Sequence, residues 1–139
     1  MTRLPIFVLS TFLSSGSTAL AQWSVFEFGP GTQLSGVHGS QQVGGSPSGA
    51  SLWTGSPASL IALGAAQVYA TDGVQQVGKS NANTAVLCSG SAASLVDLHP
   101  DFYAVSTATG VDGNFQCGSA SHSLSTYACL WSGTSDSVV

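Results

Sequence analysis

Residues 71–100 read TDGVQQVGKSNANTAVLCSGSAASLVDLHP, and this stretch decides the fold. Asp72-Gly73 is a tight-turn pair, because glycine takes positive φ without a Cβ clash and aspartate tolerates it. Val74–Gly78 and Thr84–Cys88 are short runs with apolar residues spaced between turn signals, the pattern of hairpin strands. Ser89-Gly90-Ser91 marks a second turn, and Ser94–Leu98 a further strand. With Val68–Thr71 ahead of the first turn, residues 68–100 predict four short antiparallel strands.

The same pattern recurs on both sides. Upstream, GVHGSQQVGG (Gly36–Gly45) precedes ASLWTGSPASLIAL (Ala50–Leu63). Downstream, GVDGNFQCGS (Gly110–Ser119) precedes ACLWSGTSDSVV (Ala128–Val139). Gln42 to Gln76 is 34 residues, and Trp53 to Cys88, Gly55 to Gly90 and Ser59 to Ser94 are each 35. Gly90 to Gly133 is 43, with the extra residues in connections, where insertions are tolerated. Ser24–Pro30 matches Ser94–Pro100 and reads as a partial copy. The reading is an all-β chain of propeller-like blades, roughly three repeats of about four short strands each. The repeat domain is 22–139, made of a partial copy at 24–30 and copies at 34–63, 68–100 and 105–139. The last copy stops at Val138-Val139, which predicts an incomplete array. The rival reading is a small propeller closed by the Ser24–Phe28 strand or by oligomerisation.

Residues 1–21 read as a secretory signal. Arg3 and the α-amino group form a positive start, Leu4–Leu13 is apolar, and Ala19-Leu20-Ala21 is a small-x-small site. Cleavage is expected between Ala21 and Gln22. A membrane span needs roughly 20 apolar residues, so no span is expected after cleavage, and the chain reads as secreted, periplasmic or cell-surface. Beyond Gln22 the only basic side chain is Lys79, against six acidic ones, a net charge of −5. Phosphate neutralisation needs many more cations, which excludes nucleic acid as a partner. Hydrophobic residues at 43% exclude the composition of a disordered chain.

Three cysteines leave one unpaired or paired between chains. If Cys117 and Cys129 stand opposite each other in one hairpin, a register that also pairs Val43 with Ser51, a cross-strand disulfide is geometrically open. Two separate buried thiols are the alternative. Cys88 stands where the other copies have Trp and reads as a small buried hydrophobe.

Chemistry-bearing residues are few. His38, Asp72 and Asp112 share one column beside a turn glycine and read as turn chemistry. His99 precedes Pro100 at a strand exit, and His122 lies in the longest hairpin loop between Ser121 and Ser123. A Ser-His-Asp set can be drawn on paper, but no Gly-x-Ser-x-Gly elbow accompanies it. Glu27 and Asp97 share a column, and carboxylates converging on a channel would suit glycoside chemistry; the simpler reading is a solvent-facing position. Asp112-Gly113-Asn114 is the nearest approach to a calcium site. Gln41-Gln42 and Gln75-Gln76 place one amide on each strand face, where they satisfy backbone groups or bridge neighbours. No catalytic residue, metal ligand or cofactor is assigned.

Gly-Val-x-Gly-x-Gln-Gln-Val-Gly followed by Ala-x-Leu-Trp-x-Gly resembles the HAF-type extracellular repeat proteins of bacteria. The resemblance spans Ser24 to Val139, and departs from the pattern at Cys88, Phe115 and Cys117. It implies an exported scaffold. The expected function is a non-catalytic surface or extracellular module for adhesion or binding, its partner a protein, a glycan or further repeats of the same protein. The alternative is part of a secreted propeller-type hydrolase whose catalytic residues lie mostly outside this chain.

Overall fold

A computed structural model describes residues 24–139. The expected leader 1–21, with its cleavage between Ala21 and Gln22, lies outside the described residues. From residue 33 onward the chain forms three antiparallel sheets in succession. The first unit holds β1 (Gln33–His38), β2 (Gln41–Ser46), β3 (Gly49–Thr54) and β4 (Ile61–Ala62). The second holds β5 (Gln67–Thr71), β6 (Gln76–Lys79), β7 (Ala85–Cys88) and β8 (Val96–Asp97). The third has β9 (Val105–Asp112), β10 (Phe115–His122) and β11 (Ser125–Trp131). Each sheet keeps its strands in chain order. Past β11, Leu130 and Val139 exchange two backbone hydrogen bonds, in the register of Leu52 with Ile61 and Leu87 with Val96.

The repeated glutamine organises every unit. Gln42 Oε1 accepts from the Gly55 N–H at 2.9 Å, Gln76 from Gly90 at 2.8 Å and Gln116 from Gly133 at 2.9 Å. Those glycines sit at φ +75°, +79° and +86°, a turn that a side chain would strain. The chain then enters a single 3-10 turn (Pro57–Ser59, Ala92–Ser94, Ser135–Ser137) rather than going directly into the last strand. Ser59, Ser94 and Ser137 fix this turn. Each hydroxyl accepts an N–H at the end of the third strand, from Thr54, Ser89 or Ser132, at 2.7 Å, and donates to a carbonyl at the start of the turn, at 2.6 Å. Ser94 therefore belongs to the turn and not to the expected strand.

A second repeated constraint joins the first two strands. The first strand bulges at Ser35, Tyr69 and Thr109, between Leu34 and Gly36, Val68 and Ala70, and Ala108 and Gly110. The bulge drives the carbonyls of Gln33, Gln67 and Thr107 onto Gly44, Gly78 and Gly118, where a Cβ would overlap backbone atoms. That is why Val-Gly or Cys-Gly recurs after each glutamine.

The cores lie between units, because each sheet is a single layer and buries its faces against its neighbours. Between units 1 and 2 lie Val43, Ala50, Leu52, Leu63, Val68, Val86 and Cys88. Between units 2 and 3 lie Val77, Leu87, Leu98, Ala108, Ala120, Cys129 and Trp131. Volumes compensate: small Cys88 stands with Val68 and Val86, and large Trp131 with Ala108 and Cys129, which keeps both layers filled. Phe28 meets Trp53 edge-on at 5.5 Å, at the column where Leu63 and Leu98 serve the next units. Phe28 thus takes the place that Leu63 and Leu98 hold in the next units, while residues 24–28 form no strand.

The adjacent glycines of β2 separate close approach from mere flexibility. Gly44→Ala should destabilise by roughly 3 kcal/mol, since backbone must move. Gly45→Ala, with open space at its Cβ position, should be neutral or stabilise by about 0.5 kcal/mol. Urea denaturation of the two variants measures the contrast.

Candidate functional site

Hairpin register settles where the cysteines point. The loops Pro47-Ser48 and Ser123-Leu124 are two residues long, so Ser46 pairs with Gly49 and His122 with Ser125. Val43 therefore faces Leu52 and not Ser51, and Cys117 faces Leu130 while Cys129 faces Gly118. This corrects the expected Cys117–Cys129 pairing, because a one-residue slip sends neighbouring side chains to opposite faces. Cys117 is exposed, Cys129 is buried toward unit 2, and all three cysteines are free thiols. Burial pushes the Cys88 thiol up to about 11. Burial also raises Cys129, against the opposing backbone hydrogen bond from Ala120.

His38, Asp72 and Asp112 come together at the turns joining the first two strands. The His38 ring lies over Gly73, and Asp72 reaches unit 3 by accepting the Gly113 N–H at 3.1 Å. The other Asp72 oxygen accepts from Val74 at 2.9 Å and Gln75 at 2.7 Å. Partial burial acts to raise the Asp72 pKa, and these backbone N–H groups outweigh it, so the carboxyl sits below its ordinary value. The row is turn chemistry extended into a contact between units. No three His, Cys, Asp or Glu side chains converge among the described residues.

One serine–histidine contact does form. His99 Nδ1 lies 2.8 Å from Ser106 Oγ, which also accepts the Ala85 N–H at 2.8 Å. Ser106 is buried at 2% exposure, inside the joint between units 2 and 3, so no substrate reaches it. Asp97 does not touch the imidazole; it accepts the His99 backbone N–H. Asp97 lies exposed on β8, the edge strand farthest from β5, and Glu27 is exposed as well. Both are displayed outward, the simpler of the two readings. The indole N–H groups of Trp53 and Trp131, in one repeat column, are buried without a hydrogen-bond partner. Cys88 at that column places its thiol 3.7 Å from the Leu63 carbonyl.

The strongest candidate for binding is an aromatic patch at the far end of unit 3. β6 ends at Lys79, but β10, its counterpart, runs on from Ser119 to His122. The overhanging hairpin has no unit 2 strand beside it, and residues 100–104 fill the space. Tyr103 N–H closes a turn onto the Pro100 carbonyl at 3.0 Å, and Ala104 N–H bonds to the Ser121 carbonyl at 2.8 Å. Tyr103 packs against the core between units 2 and 3 and meets Tyr127 edge-on at 5.8 Å. Phe102 stands across Tyr103 at 5.8 Å and stacks on the His122 ring at 4.5 Å, tilted by 32°. Phe102 is 71% exposed and Tyr127 49%. Ser121 and Thr126 share a hydrogen bond at 2.8 Å on the opposite face of the hairpin, the face of Ala128 and Leu130. Of these four rings the sequence reading singled out only His122; the one available signal for the rest was the extra length of the third copy.

No family model, curated protein or solved structure matches the chain.

Two expectations follow from this geometry. In dilute native protein a thiol reagent should modify Cys117 quickly and leave Cys88 and Cys129 until denaturant is added, counted by mass spectrometry. Asp72, with its pKa lowered on folding, contributes stability that is full above its unfolded value and lost as pH falls through the folded one. Thermal unfolding should therefore drop below about pH 4, and Asp72→Asn should flatten that drop.

Proposed function

We propose that this chain is an exported, non-catalytic β-repeat module that binds a neutral glycan through the aromatic face of unit 3. The observation that carries the reading is the cluster of Phe102, Tyr103, His122 and Tyr127. Exposed rings held edge-to-face on a rigid hairpin are costly to leave in water unless they meet a partner. Pyranose rings present apolar C–H faces to such rings and hydroxyls to the His122 imidazole and the Tyr127 phenol. The mature chain has one cation, Lys79, so anionic ligands find little attraction there. Export rests on the three ordered zones of residues 1–21.

The blade arrangement belongs to the same proposal. β1 packs against β5 and β5 against β9, while β4 and β8 lie at the opposite edge of their sheets. First strands grouped together and fourth strands outermost is the order of a propeller. On such a scaffold, insertions at hairpin tips are where ligands are met.

Affinity electrophoresis through gels containing neutral glucans, xylans or mannans tests the reading. At least one should retard the native chain. Tyr127→Ala or Phe102→Ala should weaken that retention about tenfold, equivalent to about 1.4 kcal/mol, while Leu124→Ala leaves it unchanged. Migration indifferent to every polysaccharide, or retention that survives loss of both rings, would overturn it.

A further inference from the structure

The contact between units 1 and 2 is repeated between units 2 and 3, and each half of it is also present, uncovered, at an end of the array. Toward its successor each unit presents three apolar columns. In units 1 and 2 these are Val43 and Val77, Ala50 and Ala85, and Leu52 and Leu87, none more than 5% exposed. In unit 3 the same columns are Cys117, Ala128 and Leu130, and all three are exposed, Leu130 at 43%. Beside them Phe115, in the column of Gln41 and Gln75, is 56% exposed.

Unit 1 shows the complementary half. Toward their predecessors, units 2 and 3 bury Val68 and Ala108, Thr71, and the amides Gln76 and Gln116. Their counterparts in unit 1 are Leu34 at 44% exposure, Val37 at 70% and the half-buried Gln42, which line an open groove of about 470 Å³. Gln76 Nε2 and Gln116 Nε2 donate across the joint to Gln41 and Gln75, at 3.2 and 3.0 Å. Gln42 Nε2 makes only the bond back to the Ser40 carbonyl, at 2.9 Å, which Gln76 Nε2 matches on Val74 at 3.1 Å beside its cross-joint bond. Phe28 already stands on Trp53, so the fourth-strand share of this face is in place.

We propose that unit 3 of one copy docks on unit 1 of a second copy, head to tail, continuing the joint that units 1–2 and 2–3 form within the chain. The two surfaces match in kind: Phe115, Cys117 and Leu130 are apolar, and so are Leu34 and Val37. Phe115 brings no amide acceptor, so this joint lacks the amide–amide bond of the other two and rests on apolar contact, while Gln42 keeps one Nε2 hydrogen on Ser40. The contact is heterologous, so it closes into a ring or extends into a filament according to the rotation per copy.

Sedimentation velocity on the purified chain, run alongside thiol labelling of Cys117, tests this. Mass should rise with concentration, and Cys117 labelling should slow in step. Leu130→Glu on one face and Val37→Glu on the other should each give single copies with unchanged far-UV circular dichroism; Phe115→Glu replaces Leu130→Glu should that variant misfold. Mixing the two variants leaves one intact face on each, and should restore pairs and nothing larger. A single copy at all concentrations with constant Cys117 labelling overturns the proposal. So does association that survives Val37→Glu, since that would join unit 3 faces back to back.

Discussion

The glutamine at Gln42, Gln76 and Gln116, half-buried in the first unit and fully buried in the other two, is the constraint on which the rest of the structure depends. A primary amide removed from water needs its hydrogen bonds made inside the protein. Its oxygen fixes the positive-φ glycine after the third strand, and that glycine launches the 3-10 turn clamped by Ser59, Ser94 or Ser137. Its nitrogen, in units 2 and 3, reaches the preceding unit. One side chain therefore sets both the internal shape of a unit and its registration on the neighbour. Across the hairpin stands Trp53, Cys88 or Trp131, the residue that meets the preceding unit's fourth-strand column.

Because each unit is one sheet thick, stability resides in the joints. A single four-stranded layer of this size has nowhere to bury Leu52 or Leu87 except against another layer. This explains why the columns vary together: Cys88 with Val68 and Val86, Trp131 with Ala108 and Cys129. It also explains why Leu87 and Cys88, pointing to opposite faces, are both buried. The joints tolerate some polar cost. The Trp131 indole N–H goes unpartnered within one of them, a loss of about 1–3 kcal/mol, and Ser106 is enclosed with its partners Ala85 and His99. Interfaces of this kind have two distinct sides, so an array of them ends on two different, complementary faces.

The candidate binding surface arises from a mismatch in that regular scheme. The third unit is longer than the second, so part of its hairpin has no neighbour to lie against. Phe102 and Tyr103, from the connection, and His122 and Tyr127, from the hairpin, meet where the repeat fails to cover itself. These residues are separated by as many as 25 positions and follow no repeat column. Nothing in their spacing ties them together, whereas the added length of the copy was plain.

The sequence by itself determined the unit. Asp72-Gly73, Ser89-Gly90-Ser91 and the alternating apolar runs act within a few residues, through φ preference and strand period, so strands and turns could be read from them. The paired glutamines were legible as bridging groups for the same reason, since one amide must fall on each face. Only the tertiary structure decided register and cover. Two-residue loops at Pro47-Ser48 and Ser123-Leu124 shift each hairpin by one position, and that shift alone sends Cys117 and Cys129 to opposite faces. Whether a residue of the Val43 column is sealed or bare, as Val77 and Cys117 are in turn, depends on the presence of another layer, and no local pattern carries that information.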